Sequence, residues 1–361
     1  MSKYASLFKN KQVGAFNLNH RIALAPLTRL RTQKGADGEP GVPKDIVPTY
    51  YSQRATEGGL LISEATLIAK ETGSTFANLE PGIWSQDQIE QWKKVTEAVH
   101  NKNGYIFSQL WALGRIANPE PSQTVGAKVV GPSAGQYDNH DVVEMSKDDI
   151  ARYINHYRQA ALNAVQKSGF DGVEVHMANG YLIDQFIQHI SNQRTDEYRA
   201  ANDYKFALEV LENVVQVVGA DRVGLRLSPF GTFQGMRERG EFSPLSTFKP
   251  LVEKIVNTYA HKLAYIHFID GSTPEDLQHG DILKDVVRAK GISVISNQNK
   301  SLEDANEISE RADDITAFGK TFIANPDLPQ RAKHNLPLNK ADPETFYTTE
   351  AEGYTTYPFY K

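Results

Sequence analysis

Short apolar runs alternate with amphipathic stretches along the whole chain. Eight of these runs read as strands: Arg21–Ala25, Leu60–Ala65, Tyr105–Leu110, Gly172–His176, Val223–Leu227, Ala264–Ile269, Ser293–Ser296 and Ile315–Phe318. Strands covered on both faces need such continuous runs, whereas half-exposed strands alternate apolar and polar positions. Between the runs lie helical patterns. In SKDDIARYINHYRQAALNAVQKSG, residues Ile150, Tyr153, Ile154, Tyr157, Ala161, Ala164 and Val165 form one apolar stripe. Ser146 can cap its start with Asp149 at the reciprocal position, and Gly169 can close its end. QIEQWKKVTEAVH, FALEVLENVVQVVG, KPLVEKIVNTYA and ILKDVVRAKG repeat the pattern, and SLEDANEISERA does so behind a capping Ser301. Eight strands alternating with helices predict a single (β/α)₈ TIM barrel over residues 1–361, with an N-terminal hairpin and loop insertions. An open dinucleotide-binding sheet would carry G-x-G-x-x-G after a strand. The nearest segment, GADGEPG, has the wrong spacing and follows no strand.

Composition narrows the function classes. A net charge of −5 and the lack of a basic run give no footprint for nucleic acid. No segment approaches the roughly 18 apolar residues of a membrane span, and the start MSKYASLFKNKQVG has no apolar secretory core. There is no cysteine, which removes disulfides, thiolate chemistry and cysteine-held metals. A cytoplasmic protein acting on a small molecule, monomeric or homodimeric, is the expectation.

Barrel chemistry sits at the C-terminal strand ends. Those ends here carry Pro26-Leu27-Thr28, Glu64-Ala65-Thr66, Gln109, His176, Arg226, Asp270, Asn297 and Gly319-Lys320. The densest group is in DGVEVHMANGYLIDQF, where His176, Asn179 and Tyr181 fall within six residues as a strand opens into a loop. His and Asn can donate hydrogen bonds to one carbonyl oxygen, and a nearby Tyr can deliver a proton to carbon. An enone needs both: polarisation at oxygen makes its β-carbon electrophilic, and its α-carbon must then be protonated. A buried histidine, an Asn-Gly turn and a packing tyrosine would satisfy the same spacing. A metal site on the barrel would draw on His176, His267 and Asp270, but no H-E-x-x-H occurs and RIALA lacks a histidine pair, so no metal is expected.

HMANGYLIDQF closely resembles the H-G-A-N-G-Y-L motif of the Old Yellow Enzyme family of flavin-dependent ene-reductases. NHRIALAPLTRLR, PGIWSQDQIEQW, FSQLWALGR, VGLRLSPFG, FIANPDLPQR and GYTTYPFY extend the resemblance in order over nearly the whole chain. It implies an FMN-dependent, NADPH-using reductase of the C=C bond of an α,β-unsaturated carbonyl compound. By that resemblance Pro26, Leu27 and Thr28 meet the flavin at its O4/N5 edge, and Ala65 lies against the rings. Gln109 holds the pyrimidine edge, and Arg226 sits near N1 and O2. His176 and Asn179 grip the substrate carbonyl or the nicotinamide carboxamide, Tyr181 donates the proton, and Trp111, Phe233 and Tyr360 shape the pocket. Sharing one place above the flavin also explains the missing dinucleotide fingerprint.

The phosphate end departs from the family pattern. The loop after the seventh strand, Ser296-Asn297-Gln298-Asn299-Lys300, has no glycine, and Gly319-Lys320 stands where Gly-Arg is usual. With Asn299, Gly319 and Lys320 as the phosphate contacts, lysine keeps the charge but loses the bidentate fork. RAANDYKF replaces a longer turn after RTDEY, and Met177 replaces glycine beside His176, where it is expected to narrow or reshape the site. These departures motivate a second function class, a flavin-independent double-bond isomerase using the same carbonyl grip and Tyr181.

Overall fold

In a computed structural model that describes residues 2–201 and 203–360, eight parallel strands close on themselves. They are β1 (Ile22–Leu24), β2 (Leu60–Ile62), β3 (Tyr105–Trp111), β4 (Gly172–Met177), β5 (Val223–Leu227), β6 (Tyr265–Ile269), β7 (Ser293–Asn297) and β8 (Ile315–Phe318). β8 pairs with β1, which seals the ring. All eight coincide with the apolar runs read from the sequence, as burial on both faces demands. Two of the three apolar clusters make up most of the packing. Ala23, Ala25, Leu60, Ile62, Phe107, Tyr265, Ile295, Ile315 and Ala317 fill the barrel, and the larger cluster lies between barrel and helices. The expected N-terminal hairpin, Lys11–Val13 with Phe16–Leu18, plugs the barrel floor. Its Phe16 ring packs 5.6 Å from Phe107 and 5.0 Å from Tyr105.

The surrounding helices are α1 (Ile46–Arg54), α2 (Gln86–His100), α3 (Lys147–Leu162), α4 (Lys205–Val218), α5 (Pro244–Thr258), α6 (Pro274–Arg288), α7 (Leu302–Ala312) and α8 (Leu328–His334). The caps read from sequence are present: Ser146 with Asp149 on α3, and Ser301 with Asp304 on α7, each as a reciprocal box. Both α5 and α6 start earlier than their apolar stripes, because Ser243-Pro244 and Thr273-Pro274 supply a cap and a first-turn proline. Turns tighten the picture. Gly169 and Gly219 adopt positive φ where α3 and α4 hand back to strands. The RAANDYKF turn falls partly on residue 202, outside the described residues. Among the described residues, no helix is long and apolar enough to cross a membrane.

Candidate active site at the barrel mouth

Above the apolar filling, the inward positions turn polar: Gln109 on β3, Glu174 and His176 on β4, Arg226 on β5, His267 on β6 and Asn297 on β7. Strand register makes them neighbours, with Glu174 beside Gln109, and His176, Arg226 and His267 in one row. Gln109 Nε2 donates to Glu174 Oε1 at 2.7 Å, and His267 Nδ1 donates to Glu174 Oε2 at 2.9 Å. Arg226 Nη2 donates to Asn297 Oδ1 at 2.9 Å, and Asn297 Nδ2 donates to the Ala317 carbonyl at 2.7 Å. Asp270 sits between the ammonium groups of Lys284, at 2.5 Å, and Lys300, at 3.0 Å. Among the described residues no three His, Asp or Glu side chains are grouped so as to hold a metal ion.

His176 is buried, and burial with the nearby Arg226 charge holds its ring down at about 3. The imidazole is therefore neutral at any ordinary pH. Its Nδ1 accepts the Ala178 N–H at 3.3 Å, so the one ring proton belongs to Nε2. Nε2–H is the donor needed to polarise a carbonyl. Asn179 follows with φ at +59°, a left-handed conformation that Asn tolerates, and its N–H donates to Ser228 Oγ at 2.7 Å. Tyr181 packs edge-on against His176 (centroids 5.1 Å apart) and against Trp111 (4.8 Å). Burial pushes its hydroxyl up to about 12, offset in part by a hydrogen bond from the Gln234 side chain. A neutral phenol is thus held beside the carbonyl donor. Ala65 belongs to the same apolar cluster as Trp111 and Tyr181.

The backbone around Tyr181 is fastened from below. The Gly180 N–H donates to Asp184 Oδ2 at 2.8 Å, and Gln185 Nε2 donates to the Gly180 carbonyl at 2.7 Å. From above, Gln234 lies on the loop after β5, where Arg115 Nη2 and the Tyr137 hydroxyl both donate to its carbonyl, at 3.2 and 3.4 Å. Tyr137 belongs to the hairpin Gly135–Tyr137 and His140–Glu144, so the insertion after β3 does reach the mouth. None of Asp184, Gln185 or Gln234 stood out in the sequence: the first two act on the Gly180 backbone, and Gln234 reaches Tyr181 from a distant loop.

Two expectations need correcting. Met177 does not narrow the site: it points outward from β4, fully buried in the barrel–helix core, because strand side chains alternate faces and His176 takes the inner one. Tyr360 does not line the mouth. Its N–H donates to Asp327 Oδ2 at 2.8 Å and its ring lies 5.8 Å from the Arg331 guanidinium, on the flank formed by α8. The tail is held there by Arg331 Nη2, which donates to the Pro358 carbonyl at 2.9 Å. Of the tail tyrosines, Tyr347 stands nearer, exposed but close enough that its charge would raise the proton affinity of Tyr181. Tyr347 stacks on Phe76 with centroids 6.2 Å apart. Its segment is gripped by arginines that follow Thr28: Arg29 donates to the Phe346 and Gly353 carbonyls, and Arg31 to those of Thr345, Phe346 and Glu350. Phe233 sits beside Gln234 at the rim, largely exposed.

The residues expected to meet a flavin ring lie on or just after strands of the one barrel sheet. Pro26 and Leu27 leave β1 next to β8, where a Cβ on Gly319 would come 3.2 Å from Leu27 Cδ2. Thr28 is half-buried beyond them. Arg226 Nε, His267 Nε2 and Trp111 Nε1, all on inward positions of the mouth, are buried without partners. A finished fold rarely leaves such groups unpaired, and these three fit a polar-edged ring system lying over Gln109 and Arg226. At the phosphate end, Gln298 and Asn299 have φ of +101° and +47°. The loop keeps the left-handed backbone that glycine would take without strain, but builds it from Gln and Asn. Lys320 is exposed.

Residues 6–339 match the model of the NADH:flavin oxidoreductase / NADH oxidase family. The chain is 39% identical over 368 residues to 12-oxophytodienoate reductase 2 of Arabidopsis thaliana, covering 96% of this chain and 94% of the relative. It is 41% identical over 370 residues to a protein of Epichloe festucae var. lolii described as a probable inactive reductase, easA, covering 98% and 95%. The solved old yellow enzyme from Trypanosoma cruzi superposes with a TM-score of 0.88 at 34% identity, covering 100% of both chains. The barrel, the polar mouth and these likenesses agree: the chain belongs to the NADH:flavin oxidoreductase / NADH oxidase family and is an oxidoreductase of the Old Yellow Enzyme type.

Proposed function

We propose that this protein is an FMN-dependent ene-reductase that uses NADPH to reduce the C=C bond of an α,β-unsaturated carbonyl compound. The observation that carries this reading is the pairing of a neutral His176, its proton on Nε2, with a protonated Tyr181 packed 5.1 Å away. When bound, FMN would supply the hydride that the barrel's own side chains cannot. His176 Nε2–H and the Asn179 amide bind the carbonyl oxygen and stabilise the negative charge that develops there. Trp111 and the loop carrying Gln234 keep water from the reacting carbons. Tyr181 holds the proton that completes the product at the α-carbon. Gln109 and Arg226 would hold the pyrimidine edge, with the Arg226 cation beside it.

The test is to incubate the purified protein with a simple cyclic enone, with and without NADPH. NADPH oxidation that depends on the enone, together with a saturated ketone product, is the expected result. Double-bond migration without NADPH consumption would replace this reading with the isomerase. One observation favours that second reading: the strained, glycine-free phosphate loop with its exposed lysine. Those same residues give a prediction. Gln298→Gly should stabilise the fold by about 1 kcal/mol by relieving a left-handed side chain. Combined with Lys320→Arg, it should tighten FMN binding by about tenfold, since a bidentate fork then meets the phosphate. Unchanged affinity in a fluorescence titration would mean the phosphate lies elsewhere.

A further inference from the structure

Beneath the mouth lies an ion that the proposed chemistry does not use. Glu174 is fully buried, and its two oxygens are taken by Gln109 Nε2 at 2.7 Å and His267 Nδ1 at 2.9 Å. Burial pushes its carboxyl up, but His267, Arg226 and Gln109 more than undo this and leave it below its ordinary value. A buried charge is retained only when it is paired and hydrogen-bonded. Here the partners are two residues of the mouth layer, so the charge acts on the mouth.

The consequence lies in the Gln109 amide. Amide oxygen and nitrogen have similar shapes, and an unconstrained glutamine can present either one. A carboxylate only accepts hydrogen bonds, so it compels Nε2 to face Glu174. The Gln109 oxygen is then turned to the opposite side, and the second Nε2 hydrogen remains free beside it. Register brings the two side chains together, since Gln109 and Glu174 are direct neighbours across β3 and β4. An acceptor next to a donor complements a lactam edge, such as the N3–H and C2=O of an isoalloxazine ring. We infer that Glu174 is a positioning residue for flavin recognition: it locks the Gln109 amide in the one orientation that complements the pyrimidine edge. The inference rests on the flavin reading above and adds the residue that sets its polarity.

The test compares FMN with N3-methyl-FMN, which lacks the N3 donor, in fluorescence titrations of the full chain freed of bound flavin. The wild-type protein should bind FMN at least about tenfold more tightly than the methylated ring. Glu174→Gln lets the Gln109 amide turn over. It should weaken FMN about tenfold and shrink the preference to about threefold or less. A loss that is merely structural would weaken both flavins alike and leave their ratio intact, and that outcome overturns the inference. So does a folded E174Q that binds both flavins as the wild type does. If E174Q does not fold, judged by near-ultraviolet dichroism, Glu174→Asp keeps the charge but withdraws it by one methylene. It should also lose preference, and an unchanged ratio there overturns the inference. A wild-type chain that binds FMN and N3-methyl-FMN equally overturns this inference alone, whereas one that takes up neither overturns the flavin reading itself.

Discussion

Tyr181→Phe is expected to slow enone turnover by about 10²–10⁴-fold while leaving reduction of the bound flavin by NADPH close to its wild-type rate. The substitution removes one hydroxyl and nothing else of consequence. The ring stays wedged between Trp111 and His176, so the site keeps its shape. The hydroxyl proton, held tightly up to about 12, is available throughout the neutral range. The loss should therefore appear in the step where enone reoxidises the protein, not in the step where NADPH reduces it. Stopped-flow absorbance separates the two, because bleaching and return of the yellow colour are successive events. Equal slowing of both steps, or no slowing of either, would remove Tyr181 from the role of proton donor.

The second large effect is expected from His176→Ala: a fall of about 10²–10³-fold in kcat/KM for the enone, as when one preorganised donor to a developing oxyanion is lost. FMN affinity should change little, because in the proposed arrangement the flavin edge rests on Gln109 and Arg226. The pH dependence gives a sharper check. The ring is held down at about 3, so between that value and the Tyr181 limit near 12 it neither gains nor loses a proton. His176 should accordingly contribute no limb near the ordinary histidine value of about 6.5; a limb near 7 that survives in His176→Ala belongs to Asp184, which burial raises to about 7. A limb at that pH, abolished in His176→Ala, would mean that the imidazole is charged in the working protein and that the neutral-donor account is wrong.

How far the sequence foretold these features depends on the scale of the interaction. The eight strands were legible because burial on both faces leaves an apolar run that little else produces. Capped helices such as α3 and α7 were legible because a serine and an acid three residues on form a local signal. Helix α1 was not, since VPTYYSQR has no clear apolar stripe and carries Pro48 in its first turn. At the site, His176, Gln109 and Arg226 were visible as polar residues closing apolar strands. Met177 misled because sequence proximity to His176 says nothing of the opposite face of a strand. Tyr360 and Tyr347 could not be told apart from the tail's composition. Where the tail runs is decided by arginines gripping its carbonyls: Arg331 holds Pro358, 27 positions on, while Arg29 and Arg31 hold the segment around Tyr347 across the length of the chain, as in the Arg31–Phe346 pair separated by 315.

That clasp between Arg29, Arg31 and the segment around Tyr347 has a kinetic side. Closing a loop of this length costs chain entropy, which rises only slowly with length but must be met before the contacts return anything. Seven of the eight strand pairings join segments about 20 to 65 residues apart and can form first, whereas the β8–β1 pairing that closes the ring joins Thr316 to Ile22 and is about as distant as the clasp. The mouth would then exist for a time without its tyrosine rim, with the segment after Thr28 not yet anchored. Bound flavin and the clasp both act on that segment, one at Thr28 and the other at the next residue, so each should shorten the wait for the other. Refolding in the presence of FMN should thus hasten completion of the rim more than formation of the barrel.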